Sequence, residues 1–120
     1  MQKQRILIDE DDTEVNIIYK EMLSSKYELK IVENANDALI ELKKKIPDLM
    51  ILDILLPPKG GDVFFLELRE KPEFDNLKVL AITVLGENTD FFTKARNSSS
   101  LGKPFTKKAL LEAIDEMLKR

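Results

Sequence analysis

The sequence predicts an α/β fold: a (βα)5 chain forming one doubly wound, parallel, five-stranded sheet of order 2-1-3-4-5. Three observations lead there. Short apolar runs alternate with stretches of helical periodicity along all 120 residues. No repeat, linker or low-complexity tract divides the pattern; Ser98-Ser99-Ser100 is the one biased run and is too short to separate domains. Three of the runs are apolar on both faces, as strands covered by helices on two sides must be.

Ile6-Leu7-Ile8 reads as the first strand, and Val15, Ile18, Tyr19 and Met22 follow at helical spacing. Tyr27 to Val32 is the second strand, with Leu29 and Ile31 on one face and Glu28 and Lys30 on the other. Ala35, Ala38, Leu39, Leu42 and Ile46 mark the second helix, which Pro47 closes. Leu49-Met50-Ile51-Leu52 is the third strand, and Pro57, Pro58, Gly60 and Gly61 form a loop. A helix is expected from Asp62 to about Lys71, and the fourth strand is Val79-Leu80-Ala81-Ile82. Thr89 to Arg96 suits a short helix, and Leu101 lies in a weak fifth strand. Lys107 to Lys119 is a clear final helix with Leu110, Ala113, Ile114 and Met117 inward.

The first, third and fourth runs are uniformly apolar and belong in the middle of the sheet. The second alternates and the fifth is poor in apolar residues, so both suit edges. The order 2-1-3-4-5 satisfies this with right-handed crossovers and is an established one for doubly wound sheets.

Composition narrows the chemistry. Apolar residues make up 43% and charged residues 34%, a globular balance, and the length suits one domain, residues 1–120. No apolar run approaches the ~20 residues of a membrane span. The opening, Met1 to Arg5 followed by Ile6-Leu7-Ile8 and four acids, is too short and too acidic for a signal peptide, which suits a cytoplasmic protein. Cysteine and histidine are both absent, which excludes disulfides, thiol nucleophiles, histidine catalysis and Cys/His zinc sites. A metal site must therefore use oxygen ligands, favouring magnesium, manganese or calcium. A net charge of −3 argues against direct gripping of nucleic acid.

In open α/β sheets ligands bind beyond the carboxyl ends of the strands, where the strand order reverses. Here that point lies between strands one and three. The first strand ends in Asp9-Glu10-Asp11-Asp12 and the third in Asp53. Thr83 ends the fourth strand and Lys103 follows the fifth. Clustered carboxylates must take up protons or bind a cation. An octahedral divalent ion such as Mg2+ (or Mn2+) is the natural neutraliser. Such an ion beside a carboxylate, with an ammonium and a hydroxyl opposite, makes a site for a phosphoryl group, and the carboxylate can itself be the nucleophile. Taken singly, Asp12 reads as a helix N-cap and Asp9 as part of the same solvated turn.

Five segments carry a resemblance: Arg5-Ile-Leu-Ile-Asp-Glu-Asp-Asp12, Pro47-Asp-Leu-Met-Ile-Leu-Asp-Ile-Leu-Leu-Pro57, Gly61, Val79-Leu-Ala-Ile-Thr83 and Gly102-Lys-Pro-Phe105. In this order and spacing the chain resembles a response-regulator receiver domain of two-component signalling over its whole length. The resemblance implies that Asp53 is the phosphoacceptor. It implies that Glu10 and Asp11 hold Mg2+ with Asp53, and that the Leu55 backbone carbonyl completes the protein ligands. Thr83 matches the switch hydroxyl, Lys103 the lysine that contacts the phosphoryl group, and Lys103-Pro104 a bond that is usually cis. The implied donor is a sensor histidine kinase or histidine phosphotransfer protein, and the implied target is an unnamed effector protein or output domain. The implied output face is the fourth helix, fifth strand and fifth helix. The resemblance further implies a signalling module rather than an enzyme, one expected to bind neither nucleic acid nor membrane itself.

Some positions depart from the family pattern. Asp9 stands where the family is apolar, so a count from the first strand gives Asp9 and Glu10 as the acidic pair. A count back from the helix start gives Glu10 and Asp11, which fits Asp12-Thr13-Glu14-Val15 better. Gly60 replaces a loop acid, and Val84 follows Thr83 where a small residue is usual, narrowing access to Asp53. Arg96 to Ser100 replaces a Gly-Ala turn and an aromatic residue, so the switching readout is expected to be altered. Leu55 and Leu85 offer no hydrogen bond to an attacking water, implying a long-lived phosphoryl group. The alternative is a pseudo-receiver that only docks other proteins. An aspartyl-phosphate hydrolase would carry a second Asp at the position of Leu55. A flavodoxin-like nucleotide site would need a glycine-rich loop after the first strand.

Overall fold

The computed structural model describes residues 2–55, 60–84 and 90–120. Its strands are β1 (Arg5–Asp9), β2 (Glu28–Val32), β3 (Leu49–Asp53), β4 (Val79–Val84) and β5 (Ser98–Lys103). The α-helices are α1 (Thr13–Leu23), α2 (Ala35–Lys44), α3 (Gly61–Glu70), α4 (Asp90–Thr93) and α5 (Lys107–Lys119), with a short 3-10 turn at Pro72–Phe74. The strands form one parallel sheet in the expected order β2-β1-β3-β4-β5, with the uniformly apolar strands in the middle and the alternating and apolar-poor ones at the edges.

The sheet separates two cores. On one face Leu7, Met50, Leu52, Val79 and Ala81 pack with Leu42, Phe64, Phe65, Leu68 and Phe74. On the other, Ile6, Ile8, Leu49, Ile51, Leu80 and Ile82 pack with Tyr19, Leu23, Leu110, Ile114 and Met117. Alternate residues of one strand thus enter opposite cores, which is why the central strands are apolar throughout. No helix among the described residues is long and apolar enough to cross a membrane.

Differences from the sequence reading lie at element ends. Tyr27 is buried but precedes β2, because its N–H donates to the Leu23 carbonyl at 2.9 Å and finishes α1. Ile46 is exposed and lies beyond α2, which stops at Lys44; Lys45 is already extended, two residues before Pro47. Ile18 faces solvent, and the inward stripe of α1 runs through Asn16, Tyr19 and Leu23. The first turn of α3 begins at Gly61, one residue before the expected start. Within the described residues α4 covers Asp90–Thr93, whereas β5 is a full six residues despite its serines. Backbone pairing to β4 from Val79↔Ser98 to Val84↔Lys103 makes that strand, not apolar content. Phe92 is buried and Phe91 is 47% exposed, as adjacent helical residues must diverge. Pro57, Pro58, Leu85 and Thr89 lie outside the described residues.

Candidate functional site

Asp53 is the last residue of β3, and β1 ends beside it through the pairing Asp9↔Leu52. Parallel pairing at the strand-order reversal brings together side chains more than forty positions apart in sequence. One carboxylate oxygen each from Glu10, Asp11 and Asp53 lies within 4.8 Å of the others. Glu10 and Asp53 are buried and Asp11 is exposed. The grouped acids are Glu10 and Asp11, matching the count back from the helix.

Asp12 is the N-cap of α1, its Oδ1 accepting from the N–H of Glu14 at 2.9 Å and of Val15 at 3.3 Å. That cap fixes where the helix starts and thereby where the two preceding acids point. Glu10 is held further by the Asp12 N–H, which donates to its Oε2 at 3.3 Å, and by Asn16 Nδ2, which donates to its carbonyl at 2.8 Å. Asn16 is not among the residues the sequence singles out; its one signal is a polar side chain on the inward stripe of a helix.

Lys103 closes the site from β5. Its Nζ lies 3.3 Å from Asp53 Oδ2 and 3.4 Å from Glu10 Oε1. Asp53 Oδ1 accepts from the Leu55 N–H at 3.0 Å. The Lys103-Pro104 peptide bond is cis. Thr83 is buried at the end of β4, one position beyond Ile82, which pairs with Asp53. Its hydroxyl has no hydrogen-bond partner among the described residues. A buried hydroxyl left unpaired is costly, so this one is primed to donate to an incoming oxygen.

Electrostatics follow from burial. Desolvation, reinforced by the Asp53 carboxylate, pushes the Glu10 carboxyl up to about 7. Burial lowers Lys103, but Asp53 and Glu10 outweigh it and the ammonium ends above its ordinary value. Asp9 is not part of a solvated turn. It is 1% exposed, neither carboxylate oxygen has a partner among the described residues, and desolvation pushes it up to about 7 with Asp53 and Glu10 adding to the shift. The apolar surroundings of β1 continue past Ile8, which no pattern within the acidic run reveals.

Gly61 holds the other wall. Its N–H donates to the Ile54 carbonyl at 2.7 Å, and a Cβ there would meet Asp53 O and Ile54 Cα at 2.5 Å. Only glycine permits that approach of α3 to the end of β3. Leu55 and Val84 are exposed at the ends of the segments that follow β3 and carry Thr83. Three hard oxygen donors, one of them with a carboxyl held high by burial, fit a divalent cation of the magnesium class.

The family model described as "Response regulator receiver domain" matches residues 6–115. The chain is similar to the phosphate regulon transcriptional regulatory protein PhoB of Rhizobium meliloti, 27% identical across 97% of this chain and 52% of the relative. It spans about half the length of the transcriptional regulators it matches. Among solved structures it is similar to a putative response regulator from Chloroflexus aurantiacus, with TM-score 0.90, 27% identity and coverage of 99% and 100% of the two chains. The receiver domain of the sensor histidine kinase PA1611 from Pseudomonas aeruginosa, described with a magnesium ion coordinated in its active-site cleft, shares the fold at TM-score 0.86 and 22% identity, covering 98% of this chain and 99% of that one. With its fold, the ordered segments that build the acid site and the family match all agreeing, the chain belongs to the response regulator receiver domains of two-component systems.

Proposed function

We propose that Asp53 accepts a phosphoryl group from a phosphohistidine on a sensor histidine kinase or histidine phosphotransfer protein. An Asp53 carboxylate oxygen attacks phosphorus in line; the P–N bond breaks, and the imidazole leaves with its electron pair. The observation that carries this reading is the Lys103 ammonium shared between Asp53 and Glu10, with the unpaired Thr83 hydroxyl at the adjoining strand end. The ammonium offsets charge gathering on the transferred oxygens, and the hydroxyl donates to one of them. Glu10, Asp11 and Asp53, with the Leu55 carbonyl, are the residues that would hold Mg2+ or Mn2+. The bound ion supplies charge neutralisation at the phosphoryl oxygens.

Phosphorylation then biases the surface of α4, β5 and α5, through which an effector protein or output domain reads the state. The donor histidine lies outside these 120 residues, which contain none. The module works in the cytoplasm, and its reading needs neither nucleic acid nor membrane. Leu55 is 65% exposed and carries no polar group to orient an attacking water, which favours a persistent aspartyl phosphate.

Phosphoaffinity electrophoresis after treatment with acetyl phosphate and Mg2+ tests the site. A shifted band in the wild type that disappears in Asp53→Asn is expected, and it should decay slowly once the donor is removed. An unshifted wild type would instead leave a module that only docks proteins.

A further inference from the structure

The open side of β2 is grooved along its length, with a cleft of about 470 Å³ between α1 and α2 that Ile17, Ile31 and Ile40 help to line. Further clefts follow the same strand past Leu29, Glu28 and Arg5. β2 pairs only with β1 among the described strands. The Glu28 N–H donates to the Gln4 carbonyl at 2.9 Å, and the Val32 carbonyl accepts from the Glu10 N–H at 2.9 Å. Successive residues of a strand turn their backbone groups to opposite sides, so Glu28, Lys30 and Val32 address β1. Leu29 and Ile31 turn their N–H and C=O groups outward. An edge of this kind is a template for another strand.

We propose that two copies of the chain join through β2, antiparallel, about a twofold axis at Leu29. The charges select this register. With Leu29 facing Leu29 of the second copy, Glu28 stands opposite Lys30 in both directions. These fall in the non-hydrogen-bonded pairs, where side chains come closest. The neighbouring register sets Leu29 against Ile31 and Lys30 against Lys30, and like charges directly opposite repel. A register centred on Ile31 sets Lys30 against Val32 and loses the ion pairs. In the selected register the Leu29 N–H and C=O groups bond each other across the axis, and the Ile31 N–H meets the Tyr27 carbonyl.

Each face of the seam is compatible. Leu29 and Ile31 lie on the side of α1, partly buried against that core, and would extend it across the axis. Glu28 and Lys30 lie on the opposite face, where Arg5 is 3.8 Å from Glu28 and Glu41 is 3.9 Å from Lys30. Those contacts are long, with Glu28 and Lys30 exposed and Arg5 and Glu41 half-buried, and the alternating charges they join would continue across the seam. Ile17 and Ile40, 50% and 54% exposed, stand at the margins of the groove on α1 and α2. Isolated edge charges usually repel a second copy; an acid and a base two positions apart on one edge are self-complementary.

Sedimentation equilibrium of four proteins tests this: wild type, Glu28→Lys, Lys30→Glu and the doubly reversed chain. The wild type should show a monomer–dimer equilibrium. Each single reversal should weaken it by about tenfold or more, because both symmetry-related pairs become repulsive. The double reversal should restore wild-type association. Both positions are exposed, so circular dichroism should show all four folded alike. A wild type that stays monomeric at its highest soluble concentration overturns the proposal. So does a dimer that the single reversals leave unchanged, or a double reversal no tighter than either single. Asp53→Asn should dimerise as the wild type does, so failure of the phosphoryl-transfer reading and failure of this one are separable.

Discussion

At the scale of single residues, Asp9 opposes the fold that surrounds it. Asp9 is 1% exposed, both its carboxylate oxygens are unpaired among the described residues, and its pKa rises from 3.8 to about 7. An acid raised in the folded state binds its proton more tightly there than when unfolded. Stability therefore falls as pH climbs from about 4 to about 7, because the unfolded chain releases the proton first. Each unit of such a shift corresponds to about 1.4 kcal/mol. Asp9→Val should accordingly raise the urea midpoint at neutral pH in metal-free buffer, with the gain shrinking as pH approaches 4. A gain independent of pH would show that packing, not ionisation, is what the substitution relieves.

At the scale of elements, Arg69 joins α3 to the starts of β4 and β5. Its guanidinium donates to the carbonyls of Phe74 at 3.1 Å, Leu77 at 2.8 Å and Asn97 at 3.2 Å, and to Ser98 Oγ at 2.7 Å. It also lies over the Phe65 ring at 5.2 Å. Asn97 takes φ 56°, a left-handed conformation that asparagine tolerates. Arg69→Met keeps the stem but orphans those acceptors, which should cost about 3 kcal/mol in chemical denaturation. β5 became a strand for the same reason: its backbone pairs with β4 while its side chains contribute little apolar area. The polar run Ser98-Ser99-Ser100 is thus the first half of the strand expected weakly at Leu101, and hydrogen bonding makes it. Helix α5 was legible because its apolar period is regular and ion pairs such as Lys119–Asp115 at 2.9 Å lie on its outer face.

At the scale of the whole molecule, the acid site is strain that the sheet sustains. Two cores hold β1 and β3 adjacent, and their ends carry Glu10, Asp11 and Asp53 into contact although like charges repel. A cation that binds only the folded chain stabilises it by linkage. Adding Mg2+ should raise the melting temperature, and Asp11→Asn should reduce that rise without abolishing the fold, since Asp11 is exposed. An equal rise in the variant would remove Asp11 from the ligand set.

Periodicity and apolar runs determined the helices, which strands are central or at the edges, and which strand ends carry acids, because those patterns record burial on each face of each element; the order itself followed from a known doubly wound arrangement. The helix-start spacing favours Glu10 and Asp11 as the acidic pair, and tertiary structure groups their carboxylates with Asp53. Asp12 spends its side chain on capping α1, Asp9 turns inward, and only Glu10 and Asp11 reach Asp53. The orphaned Thr83 hydroxyl, the Asn16 brace and the outward backbone of β2 likewise arise from contacts between distant segments. Such contacts depend on how the sheet is assembled, and no local spacing encodes them.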